Sequence, residues 1–264
     1  MDQNLLRKIV DSAKIKKGDK VLEVGPGRGH LTGRILERGA TVIAVEIDKN
    51  FAQILRKRYF LLLGERFYLL EGDYLKLNLK ELLDDLKSEV PLKFLSNIPY
   101  SITSPILLKL VKEKNFYNEI YITLQKEVAE RVKASPGSDP YGSLSIYMQY
   151  HFEPEILFYI KRGSFRPVPK VNSAFMRLKP IRVPPVKLQN EDFFFNIVRI
   201  AFRERRKKLR TILKKHFGSL PFDEIEKISE ISLDLRGETL SLQQFAKLSD
   251  TIFEFSRNIK SKNS

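Results

Sequence analysis

Through the first two-thirds of the chain, short runs of apolar and β-branched residues alternate with stretches whose apolar positions recur every three to four residues. Lys20–Val24, Thr41–Glu46, Phe67–Glu71, Lys93–Ser96 and Glu119–Leu124 read as strands, and residues 31–38, 48–58, 79–87, 104–112 and 125–133 read as helices. Strands separated by helices of this length require crossovers, so the pattern predicts a doubly wound, parallel α/β sheet. Two later β-like runs, Glu155–Ile160 and Ala174–Leu178, add an expected edge hairpin. The prolines at 180, 184 and 185 mark a linker, since proline fixes φ and removes a donor. Beyond them only the helical period remains, at 191–203, 206–217, 221–229 and 241–258. The expected division is therefore a sheet domain over 1–182 and a small all-helical domain over 183–264. Ser241 with Gln244 forms a capping box ahead of Phe245, Leu248, Ile252 and Phe253. The Lys/Asn/Ser tail after Arg257 is expected to fray.

Composition narrows the function. A chain of 264 residues with 42% hydrophobic positions can build a sizeable core. Without cysteine there is no disulfide, no Cys-ligated zinc and no thiol nucleophile, and His30, His151 and His216 lack metal-ligand spacing, so no metal is expected. No apolar run approaches the ~18 residues of a membrane span, and Met1-Asp2-Gln3-Asn4 has no signal character; a cytoplasmic location is expected. The 47 Lys and Arg exceed the 32 Asp and Glu by 15. An excess of that size draws polyanions by long-range attraction and counterion release, which points to nucleic acid. A charge-rich thermophilic surface explains many charges but not their imbalance.

Candidate chemistry sits at the ends of consecutive strands. Glu23-Val-Gly25-Pro-Gly27-Arg-Gly29 follows the first strand and enters a helix, where a doubly wound sheet opens its ligand crevice. Its spacing is G-x-G-x-G, and His30 stands where a dinucleotide loop needs its last glycine, which disfavours a pyrophosphate cofactor. Glu46 ends the second strand, where a carboxylate can accept both hydroxyls of a ribose. Asp73 ends the third, placed for the exocyclic amine of a cofactor adenine. The fourth strand delivers Asn97-Ile98-Pro99-Tyr100. An exocyclic base amine is a poor nucleophile because its lone pair is delocalised into the ring. The Asn97 side-chain oxygen and the carbonyl of Ile98 or Pro99 can accept its two N–H groups, Pro99 stiffens the turn, and Tyr100 offers a stacking face.

That ordered set resembles the S-adenosylmethionine-dependent methyltransferases, and more closely the ribosomal RNA adenine dimethyltransferases of the KsgA type. Gln3-Asn4-Leu5-Leu6 is similar to the family's N-terminal Q-N-F-L, with Leu5 in place of Phe, and Asn97 to Tyr100 to its N-[LI]-P-Y. Leu124-Gln-Lys-Glu127, Tyr141-Gly-Ser-Leu-Ser145, Phe165 to Ser173, Arg203 to Arg210 and Arg236 to Ser241 follow in family order. The resemblance implies a Rossmann-like methyltransferase sheet with a helical C-terminal domain. It implies that Asn4, Leu6, Gly25, Gly27, Glu46, Asp73 and Asn97 meet the cofactor S-adenosylmethionine, and that Tyr100 and Phe165 sandwich an extruded adenine. The expected reaction transfers two methyls to adenine N6 of small-subunit rRNA, as a monomer acting on an immature 30S-type particle. No general base is assigned, because the sulfonium is an activated donor and placement supplies much of the rate.

Arg199 to Lys215 holds nine Lys or Arg and one Glu in a helical pattern. Its Arg203, Arg206, Lys207 and Arg210 are the expected RNA-backbone contacts. Two other readings share the fold: an Erm-type methyltransferase of large-subunit RNA, and a binding or assembly factor without turnover. The blocks from Arg203 and Arg236 favour the small subunit, and the intact Glu46, Asp73 and Asn97 to Tyr100 favour turnover.

Overall fold

A computed structural model describes residues 2–262 except Glu89 and Ser219, with side chains through Asn258. The chain forms β1 (Lys20–Val24), β2 (Thr41–Glu46), β3 (Phe67–Glu71), β4 (Leu92–Ser96), β5 (Tyr117–Gln125), β6 (Phe152–Ile160) and β7 (Ser173–Pro180). These make one sheet in the order β3-β2-β1-β4-β5-β7-β6. β1 to β5 are parallel. β7 runs antiparallel to both β5 and β6, so the expected hairpin enters the sheet by its second strand and β6 becomes the edge. The central strands are near-continuously buried, as strands covered by helices on both faces must be.

The sheet unit holds α1 (Gln3–Ser12), α2 (His30–Glu37), α3 (Lys49–Arg58), α4 (Leu79–Asp85) and α5 (Thr103–Lys112). Compact packing groups residues 1–129 with 152–182, and 130–151 with 183–264. The stretch 130–151, read from sequence as part of the first domain, shares a core with the helices that follow residue 183. Its Tyr141, Ile146 and Tyr150 pack with Phe194, Ile197, Leu213 and Phe245. α6 (Lys126–Lys133) carries the chain out of the sheet unit, and α7 (Ser143–His151) returns it to β6. The second unit continues with α8 (Glu191–Arg203), α9 (Leu209–Phe217), α10 (Phe222–Ser229) and α11 (Leu242–Lys262).

α1 and α7 have no counterpart among the elements expected from sequence. α1 is amphipathic, burying Leu6, Ile9 and Val10, and Asp2 caps it by accepting from the N–H groups of Asn4 and Leu5. α7 buries Ile146, Met148, Tyr150 and His151, spread around the helix, so no single-faced period marks it. α9 starts at Leu209 rather than 206 because the Leu209 and Arg210 amides donate to Leu235 and Leu233 carbonyls instead of helical partners. The capping box is present: Gln244 N donates to Ser241 Oγ at 3.2 Å, and Ser241 N to Gln244 Oε1 at 2.8 Å. α11 runs on to Lys262, through the segment expected to fray; Asn263 and Ser264 lie outside the described residues.

Candidate active site

The strand order reverses between β1 and β4, and a doubly wound sheet opens its crevice where the connections diverge. The turn after β1 and the turn after β4 therefore leave the sheet side by side. Gly25, Gly27 and Gly29 all take positive φ, at 66°, 56° and 77°. At Gly29 a Cβ would also lie 2.6 Å from Leu55 and 2.9 Å from the Tyr59 ring, so both backbone and space require glycine. Gly27 has open space; its amide is what matters, because it donates to Glu46 Oε2 at 2.8 Å. The Asp48 amide donates to the other oxygen at 2.9 Å, so the buried Glu46 carboxylate ties the end of β2 to the glycine turn.

A cavity of about 640 Å³ opens beside this turn, lined by Leu6, Glu23, Gly25, Pro26, Gly27, Arg28, His30, Leu31, Phe51, Asn97, Arg166 and Pro167. A second, of about 400 Å³, is lined by Asn97, Ile98, Pro99, Tyr100, Phe165, Arg166, Pro167 and Pro169. Either volume suits a small organic group. Asn97 belongs to both. Its carboxamide makes no hydrogen bond among the described residues, and neither does the Ile98 carbonyl, whereas the Pro99 carbonyl already accepts from Ile102 N at 3.2 Å. Asn97 thus stands where the cavities meet, and Ile98 lines the second.

The Tyr100 phenol is tied to Ser173 Oγ. Ser173 is fully buried and pairs with Gln125 on β5 and Ile160 on β6, so three strand ends fix the ring. Phe165 lines the cavity with Tyr100 but is only 8% exposed and belongs to the core around Leu6, Tyr121, Ile160 and Phe175. It is core and cavity wall at once.

Other residues singled out from sequence lie differently. Asn4 is exposed and lines neither cavity; only its backbone amide is engaged, by Asp2. Asp73 caps the turn at Tyr74–Lys76 by accepting from Leu75 N at 2.9 Å, and it also lines neither cavity. In the second unit Arg203 and Arg206 are exposed and unpaired among the described residues. Lys207 is paired with Glu204, and Arg210 bridges Asp223 and Glu226.

Glu23 is the site residue to which the sequence reading gave no role of its own. It lies on β1, 2% exposed, and accepts from Thr32 Oγ1 at 2.7 Å. Burial pushes its carboxyl up to about 8; the Thr32 hydrogen bond opposes this and the nearby Glu46 charge adds to it. The available signal was a carboxylate inside an otherwise apolar strand. Burial, and then the Arg58 charge, hold the His30 imidazole below its ordinary value. No group of three or more metal-ligating side chains occurs among the described residues, and no helix among them is long and apolar enough to cross a membrane.

Fold and site together define a Rossmann-like methyltransferase, with one cavity at the glycine turn and another at the Asn97 turn. The model of the ribosomal RNA adenine dimethylase family matches residues 1–253, and the chain belongs to that family. It is 39% identical over 255 residues to the ribosomal RNA small subunit methyltransferase A of Lactococcus lactis, covering 95% of this chain and 86% of that one. A crystal structure of a dimethyladenosine transferase from Plasmodium falciparum superposes with a TM-score of 0.78 at 28% identity, covering 96% of each chain. The 23S rRNA methyltransferase ErmE superposes at 0.70 with 23% identity, over 96% of this chain and 98% of that one, which shows the shared fold.

Proposed function

We propose that this protein transfers methyl groups from S-adenosylmethionine to N6 of adjacent adenosines near the 3′ end of small-subunit rRNA, giving N6,N6-dimethyladenosine. It acts as a cytoplasmic monomer on an immature 30S-type particle. The observation that carries this reading is the free Asn97 carboxamide opening onto both cavities.

The larger cavity fits the cofactor. Its glycine turn lets backbone approach closely, Glu46 braces that turn from outside the lining and keeps further lone pairs for ribose hydroxyls, and Phe51 and Leu31 supply apolar wall. When bound, the cofactor supplies an activated sulfonium methyl. The protein's own part is placement. Asn97 Oδ1 and the Ile98 carbonyl accept the two N6 hydrogens, which draws the nitrogen lone pair out of conjugation. Tyr100 and Phe165 hold the extruded purine by stacking, offsetting the few kcal/mol needed to take it from its helix. Asn4, Glu46 and Asp73 require a shift on binding to reach the cofactor, since none of them lines the cavity. Arg203 and Arg206, carrying unpaired charge, are the contacts of the basic run to the RNA backbone; Lys207 and Arg210 contribute only by breaking their present pairs.

Methylation of a large-subunit adenine is the less supported reading, since ErmE is 23% identical against 39% for the L. lactis small-subunit methyltransferase. Labelled cofactor offered with 30S-type particles lacking these methyls and, separately, with naked large-subunit RNA decides between them. Label is expected in the small subunit only, and Asn97→Ala is expected to abolish it while binding the particle nearly as well as the wild type. Label in the large-subunit RNA, or full turnover in the variant, contradicts the proposal.

A further inference from the structure

The connection between β6 and β7, residues 161–172, forms part of the wall of both cavities. It carries Lys161, Arg162, Arg166 and Lys170, all exposed, with no acidic residue among them. None of these four side chains has a hydrogen bond or ion pair among the described residues. The basic run of the second unit is mostly paired, with Arg203 and Arg206 left open: Arg205 pairs with Glu238, Lys207 and Lys215 with Glu204, Lys208 with Asp234, and Arg210 with Asp223 and Glu226. Cations already paired within the protein attract an external anion weakly. The open cationic charge beside the cavities lies on this connection and on Arg28 of the glycine turn, which lines the larger cavity but not the one beside Tyr100.

Its backbone is fixed. Asp2 N donates to the Ser164 carbonyl at 3.0 Å, Arg162 N to Asn172 Oδ1 at 3.0 Å, and Lys126 N to the Asn172 carbonyl at 3.0 Å. Pro167 and Pro169 hold φ between them, and Phe165 anchors the middle in the core. A pinned strap loses little entropy when a ligand arrives. Arg166, next to that anchor, lines both cavities.

A base lying between Tyr100 and Phe165 leaves its sugar and phosphate at the rim, because a charged phosphodiester cannot follow it into an apolar slot without a partner. A guanidinium fork at that rim matches phosphate geometry. We infer that the 161–172 strap is a phosphate-binding rim, in which Arg166 clamps the phosphodiester of the extruded nucleotide and Lys161, Arg162 and Lys170 hold the adjoining single strand. This rests on the proposed function only in taking the cavity beside Tyr100 to receive a base. One other anion can reach Arg166, the carboxylate of the cofactor, and the two sources separate by experiment.

Arg166→Gln, Arg166→Lys, Lys170→Gln and the double variant Arg166→Gln/Lys170→Gln are compared with wild type. S-adenosylhomocysteine binding is measured by calorimetry, and binding to 30S-type particles lacking the methyls is followed against salt. Losing one phosphate contact to a single strand at about 0.1 M salt weakens particle binding roughly fivefold and flattens the log–log salt slope by about 0.7; the double variant flattens it by about 1.4. Arg166→Lys recovers part of the loss, and S-adenosylhomocysteine affinity stays at the wild-type value throughout. An unchanged salt slope overturns the inference. So does weakened S-adenosylhomocysteine binding with normal particle binding, which assigns Arg166 to the carboxylate. Melting curves check folding, and Arg162→Gln with Lys170→Gln carries the test if Arg166 variants melt early. Failure of the proposed function shows separately, as a wild-type protein that transfers no methyl.

Discussion

Replacing Glu23 by glutamine tests the physical reading of the larger cavity, because it swaps a titrating carboxyl for a near-isosteric group that cannot ionise. In the folded protein Glu23 is pushed up from 4.5 to about 8, chiefly by burial. A raised folded pKa means the native state prefers the protonated acid. The associated stability is therefore fully present below about pH 4.5, declines as pH rises, and is gone above about pH 8. A difference of that size, at 1.36 kcal/mol per unit, sets an upper bound of about 5 kcal/mol. Urea unfolding of wild type and Glu23→Gln at pH values from 5 to 9 measures it, and the wild type should lose stability relative to the variant across this window. Parallel curves refute the reasoning. A cation bound in the cavity favours the ionised form, so S-adenosylmethionine should release protons through Glu23 at pH 7. Calorimetry in buffers of different ionisation enthalpy then reports more proton release from wild type than from the variant.

Three further outcomes follow from the packing. Ser173→Ala and Tyr100→Phe each break the hydrogen bond that fixes the Tyr100 ring; in a double-mutant cycle of kcat/KM they should couple by about 1 kcal/mol, and strict additivity would exclude the positioning role. Phe165→Ala removes a core aromatic as well as a stacking face and should cost about 3 kcal/mol in chemical denaturation, whereas Phe165→Leu should keep most of the stability and still lose methylation. Charge reversal at Arg203 and Arg206 should flatten the salt dependence of RNA binding without lowering the melting temperature, while Arg210→Ala should lower it, because Arg210 bridges Asp223 and Glu226. Equal melting temperatures for all three would show that the Arg210 bridges contribute nothing.

The sheet was readable because its signals are local. β1, β2 and β3 carry mostly apolar runs, broken in β1 only by Glu23, and are closed by Gly25, Glu46 and Gly72, so periodicity and strand-end chemistry agree. α7 was not, since Tyr147, Met148 and Tyr150 place apolar groups on every side and the helix exists only because the second unit's core surrounds it. Of the candidate site, the strand-end position of Asn97, Pro99 and Tyr100 was legible, and all three line one cavity. Asp73 lines neither cavity and caps a turn, a position that looks the same in sequence as a ligand contact. For Arg203 to Arg210, charge counting could not distinguish cations open to solvent from those neutralised by Glu204 within the run or by Asp223 and Glu226 later in the same unit. Glu23 was hidden because its perturbation arises from three-dimensional burial rather than from its neighbours in the chain.

The central claim is that the cavity of Asn97, Tyr100 and Phe165 presents an extruded adenine to a sulfonium methyl. It is tested most directly by incubating the wild-type protein with isotopically labelled S-adenosylmethionine and small subunits lacking the methyls, digesting the RNA, and mapping the labelled nucleoside. Doubly labelled N6,N6-dimethyladenosine at adjacent positions near the 3′ end is the result expected here. Label on another base, or on a ribose oxygen, would contradict it.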